Sequence, residues 1–193
     1  MVPTGQLFCG LPSSYVCLDL ETTGFSPEKG SEIIEVAAVL TDNFRIEKVF
    51  SQTVRPRGPI PEFITGLTGI SPETVRFSPD IGTVMPLLLE FAGDMPIVGH
   101  NVLFDLRFIS YYAMESLGVY FLNPYRDTVG LSRSVFSPRR CGKVSHSLTA
   151  LADRLYIEYP NAHRALADTM ATHECYKALV RMITEEELEE DML

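Results

Sequence analysis

Residues 15–24 read YVCLDLETTG. Val16, Leu18 and Leu20 alternate with Cys17, Asp19 and Glu21, a period of two that belongs to a strand with one face against a core. Asp19 and Glu21 therefore point the same way. Two more strand-like runs follow, Glu32 to Thr41 and Lys48 to Arg55, separated by Gly- and Asn-containing turns as in a meander. Beyond them the pattern changes. Ser78, Pro79 and Asp80 form a helix start before residues 81–91, and residues 96–99 read as a short buried strand leading into the helix that holds Asp105. Further helices are predicted near residues 128–135 and 148–155, and a last one from about Arg164 to Ile183. A meander followed by alternating helix and strand predicts an α/β fold with a mixed sheet.

Length and composition bound what such a chain does. With 193 residues, 46% of them hydrophobic, it is expected to form a single domain over residues 1–193, with a core from about 15 to 183 and an acidic tail over 184–193. Glu185 to Asp191 (EEELEED) reads as a solvated helix end rather than a partner-binding segment. The first fourteen residues, MVPTGQLFCGLPSS, carry neither a basic n-region nor an apolar h-region. No run of about 18 apolar residues exists to span a bilayer, so a soluble, cytoplasmic protein without membrane association is expected. Cys9, Cys17, Cys141 and Cys175 form no C-x-x-C pair and the histidines form no H-E-x-x-H, so no zinc site is written here. Cys17 reads as a small core residue and not a nucleophile.

Three short blocks carry the chemistry: Asp19 and Glu21 in DLETTG, Asp105 in GHNVLFD, and His163 with Asp168 in HRALAD. Carboxylates this far apart in sequence can converge on divalent metal ions, and an oxygen-only set suits Mg²⁺ or Mn²⁺, which accept phosphate oxygens as further ligands. On one continuous helix the five residues from His163 to Asp168 rotate by about 140°, so the two cannot share a face. If both serve one site, His163 lies on the loop or first turn and Asp168 on the helix proper. A mobile histidine then overhangs a fixed carboxylate, which suits a general base acting on the attacking water.

The three blocks, in this order and spacing, resemble the exonuclease motifs of the DEDDh, or DnaQ-like, 3′-to-5′ exonucleases, the family of the proofreading epsilon subunit of DNA polymerase III and its free-standing relatives. The resemblance runs from about Tyr15 to about Ala178 and takes in LTGISPETV, DTVGLSRSVFSP and HSLTALADRLYI. The sister DEDDy group carries a tyrosine four before its last aspartate, where this chain has Arg164. The resemblance implies a ribonuclease H-like fold with the carboxylates at one edge of the sheet. It implies two Mg²⁺ or Mn²⁺ ions, with Asp19 bridging both, Glu21 and Asp168 holding the one that activates water, and Asp105 holding or orienting the second. His163 would be the base, and the product a nucleoside 5′-monophosphate.

Around these ligands, Thr22, Thr23 and Gly24 follow the strand where backbone amides can approach a terminal nucleotide. His100, Asn101 and Phe104 are similar to residues that lie along the bound strand in the family. The Phe104 ring is available for stacking on a base, although with Leu103, Leu106 and Phe108 it also reads as helix core. Thr68 stands where some relatives carry a histidine. Glu35 and Asp42 are left out of the site, because isolated strand carboxylates more often face solvent or a partner arginine. His146 and His173 receive no role, His173 being expected at the surface or half-buried.

The net charge of −9 is unusual for a partner of nucleic acid. Arg126 to Lys143 nevertheless carries a local +4, which leaves −13 elsewhere, and this segment is expected to flank the cleft. The expected activity is removal of nucleotides from 3′ ends of single-stranded DNA or primer termini, in proofreading or repair, with a DNA polymerase or another replication protein as a possible partner. The alternatives are a 3′-end exoribonuclease and a catalytically inactive module that binds nucleic acid or a polymerase.

Overall fold

A computed structural model describes residues 3–191. Five strands form one sheet in the order β3-β2-β1-β4-β5. β1 (Tyr15–Thr22), β2 (Ile33–Asp42) and β3 (Arg45–Thr53) are the antiparallel meander, while β4 (Ile97–Gly99) and β5 (Tyr125–Asp127) continue the sheet in parallel with β1. The helices are α1 (Glu62–Thr68), α2 (Ile81–Ala92), α3 (Leu103–Leu117), α4 (Thr128–Val135), α5 (Pro138–Cys141), α6 (Leu148–Arg154) and α7 (Ala165–Asp191). The expected mixed-sheet α/β architecture is the one observed.

Both faces of the sheet are covered, where one face against a core was expected for β1. Val16, Leu18 and Leu20 pack into a core with Val84 and Leu88 of α2 and Leu106 and Ile109 of α3. On the other face Tyr15 and Cys17 pack with Leu151 of α6 and Cys175, Tyr176 and Leu179 of α7. Alternation along a central strand sorts residues between two cores, so the period was legible but the second layer was not. Asp19 and Glu21 continue the row of Tyr15 and Cys17, which directs them to the side of α7.

Two element boundaries differ from expectation for physical reasons, and short elements appear that the sequence did not mark. β3 begins at Arg45 rather than Lys48, because Asn43 and Phe44 make a two-residue hairpin turn with φ of 46° and 62°. Asparagine tolerates this turn; Phe44 is an unusual occupant, held there by aromatic contacts with Tyr15 and Tyr176. α7 runs on to Asp191 instead of ending near Ile183, since residues 184–191 contain no glycine or proline and are rich in strong helix formers. Residues 192 and 193 of the expected acidic tail lie outside the described residues. α1 and the three-residue β5 carry too short a period to be read; β5 is supported from outside by Gln6 and Phe8, whose backbones bond to Tyr125.

One glycine sets the approach to the site. Gly99 ends β4, and a Cβ there would fall 2.6 Å from Val102 Cγ2. The chain turns this tightly, with Asn101 at φ 60°, to start α3 directly over the end of β1.

Candidate active site

β1 delivers Asp19 and Glu21, and the first turn of α7 delivers Asp168. Ligand oxygens of these three residues all lie within 4.8 Å of one another. Asp105, in the first turn of α3, is 3% exposed and stands beside them, its Oδ1 accepting from the Leu20 N–H at 3.1 Å. The four carboxylates of the three sequence blocks therefore converge at the end of β1. His163 lies on the connection before α7, as the five-residue spacing required, in a left-handed conformation with φ 67°. Its backbone N–H donates to Asp168 Oδ1 at 3.1 Å, and its imidazole is exposed.

Burial raises the pKa of every carboxylate in the cluster. For Asp19 the neighbouring charges of Asp105, Asp168 and Glu21 add to the burial. Glu21 is pushed up to about 8, by burial first and then by Asp168 and Glu35. Asp105 is raised by burial against the opposing hydrogen bond from Leu20, and Asp168 by burial against those from Tyr159 and His163. Crowded carboxylates that resist ionisation are what a divalent cation would relieve. The donors are all oxygens, which fits Mg²⁺ or Mn²⁺. Cys17, beneath Asp19, is buried with its thiol donating to the Thr169 carbonyl, and burial raises its pKa, so it supplies no thiolate.

Two residues outside the expected site belong to its frame. Glu35 lies directly across from Glu21 in the β1–β2 pairing and is 3% exposed. It accepts from Arg164 Nε and Nη2, at 3.2 and 2.7 Å, and from the Ala165 N–H at 2.8 Å. The arginine partner foreseen for such a carboxylate is therefore present, and it fastens the start of α7 to β2. Tyr159 donates its hydroxyl to Asp168 Oδ1 at 2.7 Å. Cross-strand pairing could have pointed to Glu35; nothing local in the sequence marks Tyr159.

The residues assigned to the substrate surround this cluster with unequal freedom. Thr22 Oγ1 donates to the Gly24 carbonyl at 2.7 Å, Thr23 Oγ1 accepts from the Glu32 N–H, and the Thr23 N–H donates to the Glu32 carbonyl. These groups shape the turn, so the Thr23 amide is not free for a nucleotide. His100 Nδ1 lies 2.8 Å from Thr128 Oγ1, and the Asn101 N–H donates to Asp127, the N-cap of α4. Phe104 is half-buried, 5.1 Å from the Phe108 ring, and it also lines a cleft of about 870 Å³ with Leu103, Ser26, Arg107 and Tyr125. It is thus both core and cleft wall. The Thr68 hydroxyl is committed within its own turn, to the Ile64 carbonyl and the Ile70 N–H.

Other expectations fare differently. His173 is buried, 1% exposed, with Nδ1 2.9 Å from the Tyr15 hydroxyl, because α7 packs flat on the sheet and leaves that helix face no solvent. Within the basic segment Arg126 is half-buried and donates to the Phe8 carbonyl, whereas Arg133, Arg139 and Lys143 are exposed. Among the described residues no helix is long and apolar enough to cross a membrane.

A mixed sheet whose central strand ends in a buried carboxylate cluster, completed by an aspartate from the last helix, is the architecture of a DnaQ-like nuclease. The chain matches the RNase_T family model, described as an exonuclease, over residues 16–176, and it belongs to that family. It is 40% identical over 166 residues to the DNA polymerase III subunit epsilon of Aquifex aeolicus, a match covering 86% of this chain and 80% of that protein. It is 36% identical to the PolC-type DNA polymerase III of Caldanaerobacter subterraneus across 95% of this chain, but spans only 13% of that polymerase. The fold is similar to E. coli exonuclease I in complex with a dT13 oligonucleotide, with TM-score 0.77 and 21% identity, covering 93% of this chain and 43% of that one. It is also similar to exonuclease X in complex with 5′-overhanging duplex DNA, with TM-score 0.64 and 24% identity, over 89% and 92% of the respective chains.

Proposed function

We propose that this exonuclease domain is of the DEDDh two-metal type and removes nucleoside 5′-monophosphates from DNA 3′ ends, acting on single strands or primer termini. The observation that carries the reading is the convergence of Asp19, Glu21 and Asp168 within 4.8 Å, with Asp105 hydrogen-bonded to the intervening strand. Asp19, Glu21 and Asp168 would hold one Mg²⁺ or Mn²⁺, and Asp19 with Asp105 a second. Such ions supply charge stabilisation at the phosphate and lower the pKa of the attacking water. His163, on an exposed loop tied to Asp168 by its own amide, takes the proton from that water. The Thr22–Gly24 turn closes on the 3′ terminus, and the Phe104 ring is available for stacking on a base while His100 and Asn101 border the strand. DNA is favoured over RNA by the named DNA polymerase III relatives, which also make a replicative polymerase the natural partner.

The test is incubation of the purified protein with 5′-labelled single-stranded DNA and RNA of one sequence, in Mg²⁺, Mn²⁺ or EDTA. A metal-dependent ladder shortening from the 3′ end of DNA is expected. Faster loss of RNA would reverse the sugar preference, and no shortening of either strand would leave a binding module.

A further inference from the structure

Residues 155–164 connect α6 to α7 and hold three non-glycine residues in the left-handed region, Tyr156, Asn161 and His163, with φ of 56°, 59° and 67°. Side chains rarely adopt this conformation, so a connection of this kind keeps its shape only where other contacts over-determine it. Tyr159 sits in its middle. The ring packs against the core between the sheet and α7, and the hydroxyl reaches Asp168 Oδ1 at 2.7 Å. The His163 N–H meets the same oxygen at 3.1 Å. Among the described residues, Asp168 Oδ2 receives no hydrogen bond.

This asymmetry has a chemical meaning. The terminal torsion of an aspartate is broad, so an unrestrained carboxylate samples many orientations, and a metal must hold it at an entropic cost. Two donors on one oxygen remove that freedom and leave the other oxygen as the available ligand. Donors placed behind a metal ligand orient it and tune its affinity in this way.

We propose that Tyr159 is a positioning residue of the metal site. Its hydroxyl, with the His163 amide, occupies Asp168 Oδ1, reserves Oδ2 for the cation and holds the His163 loop against the carboxylate cluster. The proposal rests on reading Asp19, Glu21 and Asp168 as metal ligands. Tyr159 neither binds metal nor touches the reacting atoms.

Tyr159→Phe removes the hydroxyl and keeps the ring. Mn²⁺ binding to the full chain, followed by electron paramagnetic resonance without nucleic acid, should weaken by about 10–100-fold, the range for loss of a hydrogen bond behind a ligand. The melting midpoint in EDTA should stay near that of the wild type, and turnover should recover at saturating Mn²⁺. In an Asp168→Asn background the same change should weaken Mn²⁺ no further. An unchanged Mn²⁺ affinity overturns the proposal; so does an additive loss in the Asp168→Asn background, which would place the hydroxyl's effect elsewhere. A collapsed midpoint in EDTA would make the hydroxyl a folding element instead and equally overturn it. If Asp168→Asn weakens Mn²⁺ and Tyr159→Phe does not, only the role of Tyr159 fails. If Asp168→Asn itself leaves Mn²⁺ binding intact, the metal-site reading fails and the proposal falls with it.

Discussion

Asp19 and Glu21 stand on a strand paired along its length with β2 and at its start with β4, with apolar layers above and below. His163 and Asp168 stand instead at the junction of a loop and a helix, held by individual hydrogen bonds from Tyr159, the His163 amide and the Arg164–Glu35 pair. The first region is fixed by backbone register, which no single side chain can undo. The second leans on single hydrogen bonds, and those from Tyr159 and Arg164 are each removable by one substitution. A site built this way has a rigid half that presents charge and an adjustable half that carries the proposed base, and the two halves should answer to mutation differently.

The largest effect is expected in the rigid half. Asp19→Ala should abolish Mg²⁺-dependent turnover while circular dichroism shows an intact fold with an EDTA midpoint no lower than the wild type, because a buried, crowded carboxylate opposes folding when no cation is bound. A fall in that midpoint would mean that the strand depends on Asp19 for its structure, and the contrast between the halves would be lost.

His163→Ala should lower kcat by roughly 10² to 10⁴, the range for a general base, with Mn²⁺ affinity retained. Loss of metal affinity would make the imidazole a ligand and move His163 into the rigid half.

Arg164→Ala should act on stability first. It strips two hydrogen bonds from buried Glu35 and should cost about 1.5–3 kcal/mol. That corresponds to a fall of several degrees in melting midpoint for a chain of this size. Turnover should suffer less than with His163→Ala, because the Ala165 N–H still holds Glu35. Equal losses in the two variants would show that the start of α7 acts as one unit with the base.

The same crowding should appear as a pH slope. Glu21 has its folded pKa raised from 4.5 to about 8. Between those values the folded state keeps a proton that the unfolded chain has already released. Glu21 should therefore make the stability of the metal-free protein fall as pH rises from about 5 to 8. Melting in EDTA across that window measures the slope, and Mg²⁺ should flatten or reverse it by favouring the ionised carboxylates. A slope of the opposite sign in EDTA would contradict the crowding argument.

Legibility in the sequence follows the same division. The alternation of residues 15–21 revealed the strand and the shared direction of Asp19 and Glu21, and the spacing of His163 and Asp168 revealed a loop–helix junction. Glu35 could be seen on a strand, but its pairing with Arg164 spans 129 positions and leaves no local trace. His173 looked like a surface or half-buried residue because a helical wheel gives angles and not the layer a helix lies on. The burial of the second face of β1 was hidden for the same reason.

By itself, the sequence determined the order of the longer elements, and it singled out four carboxylates and a histidine as the candidates for an oxygen-donor site. Each of these is written in periods of two or 3.6 residues or in side-chain chemistry. Only the tertiary structure decided that α7 would lie across β1, that Tyr159 would meet Asp168, and that the Thr23 amide would be spent within its own turn. Contacts of that kind depend on how layers pack and where loops close, and close packing between distant segments carries no signature in the residues on either side.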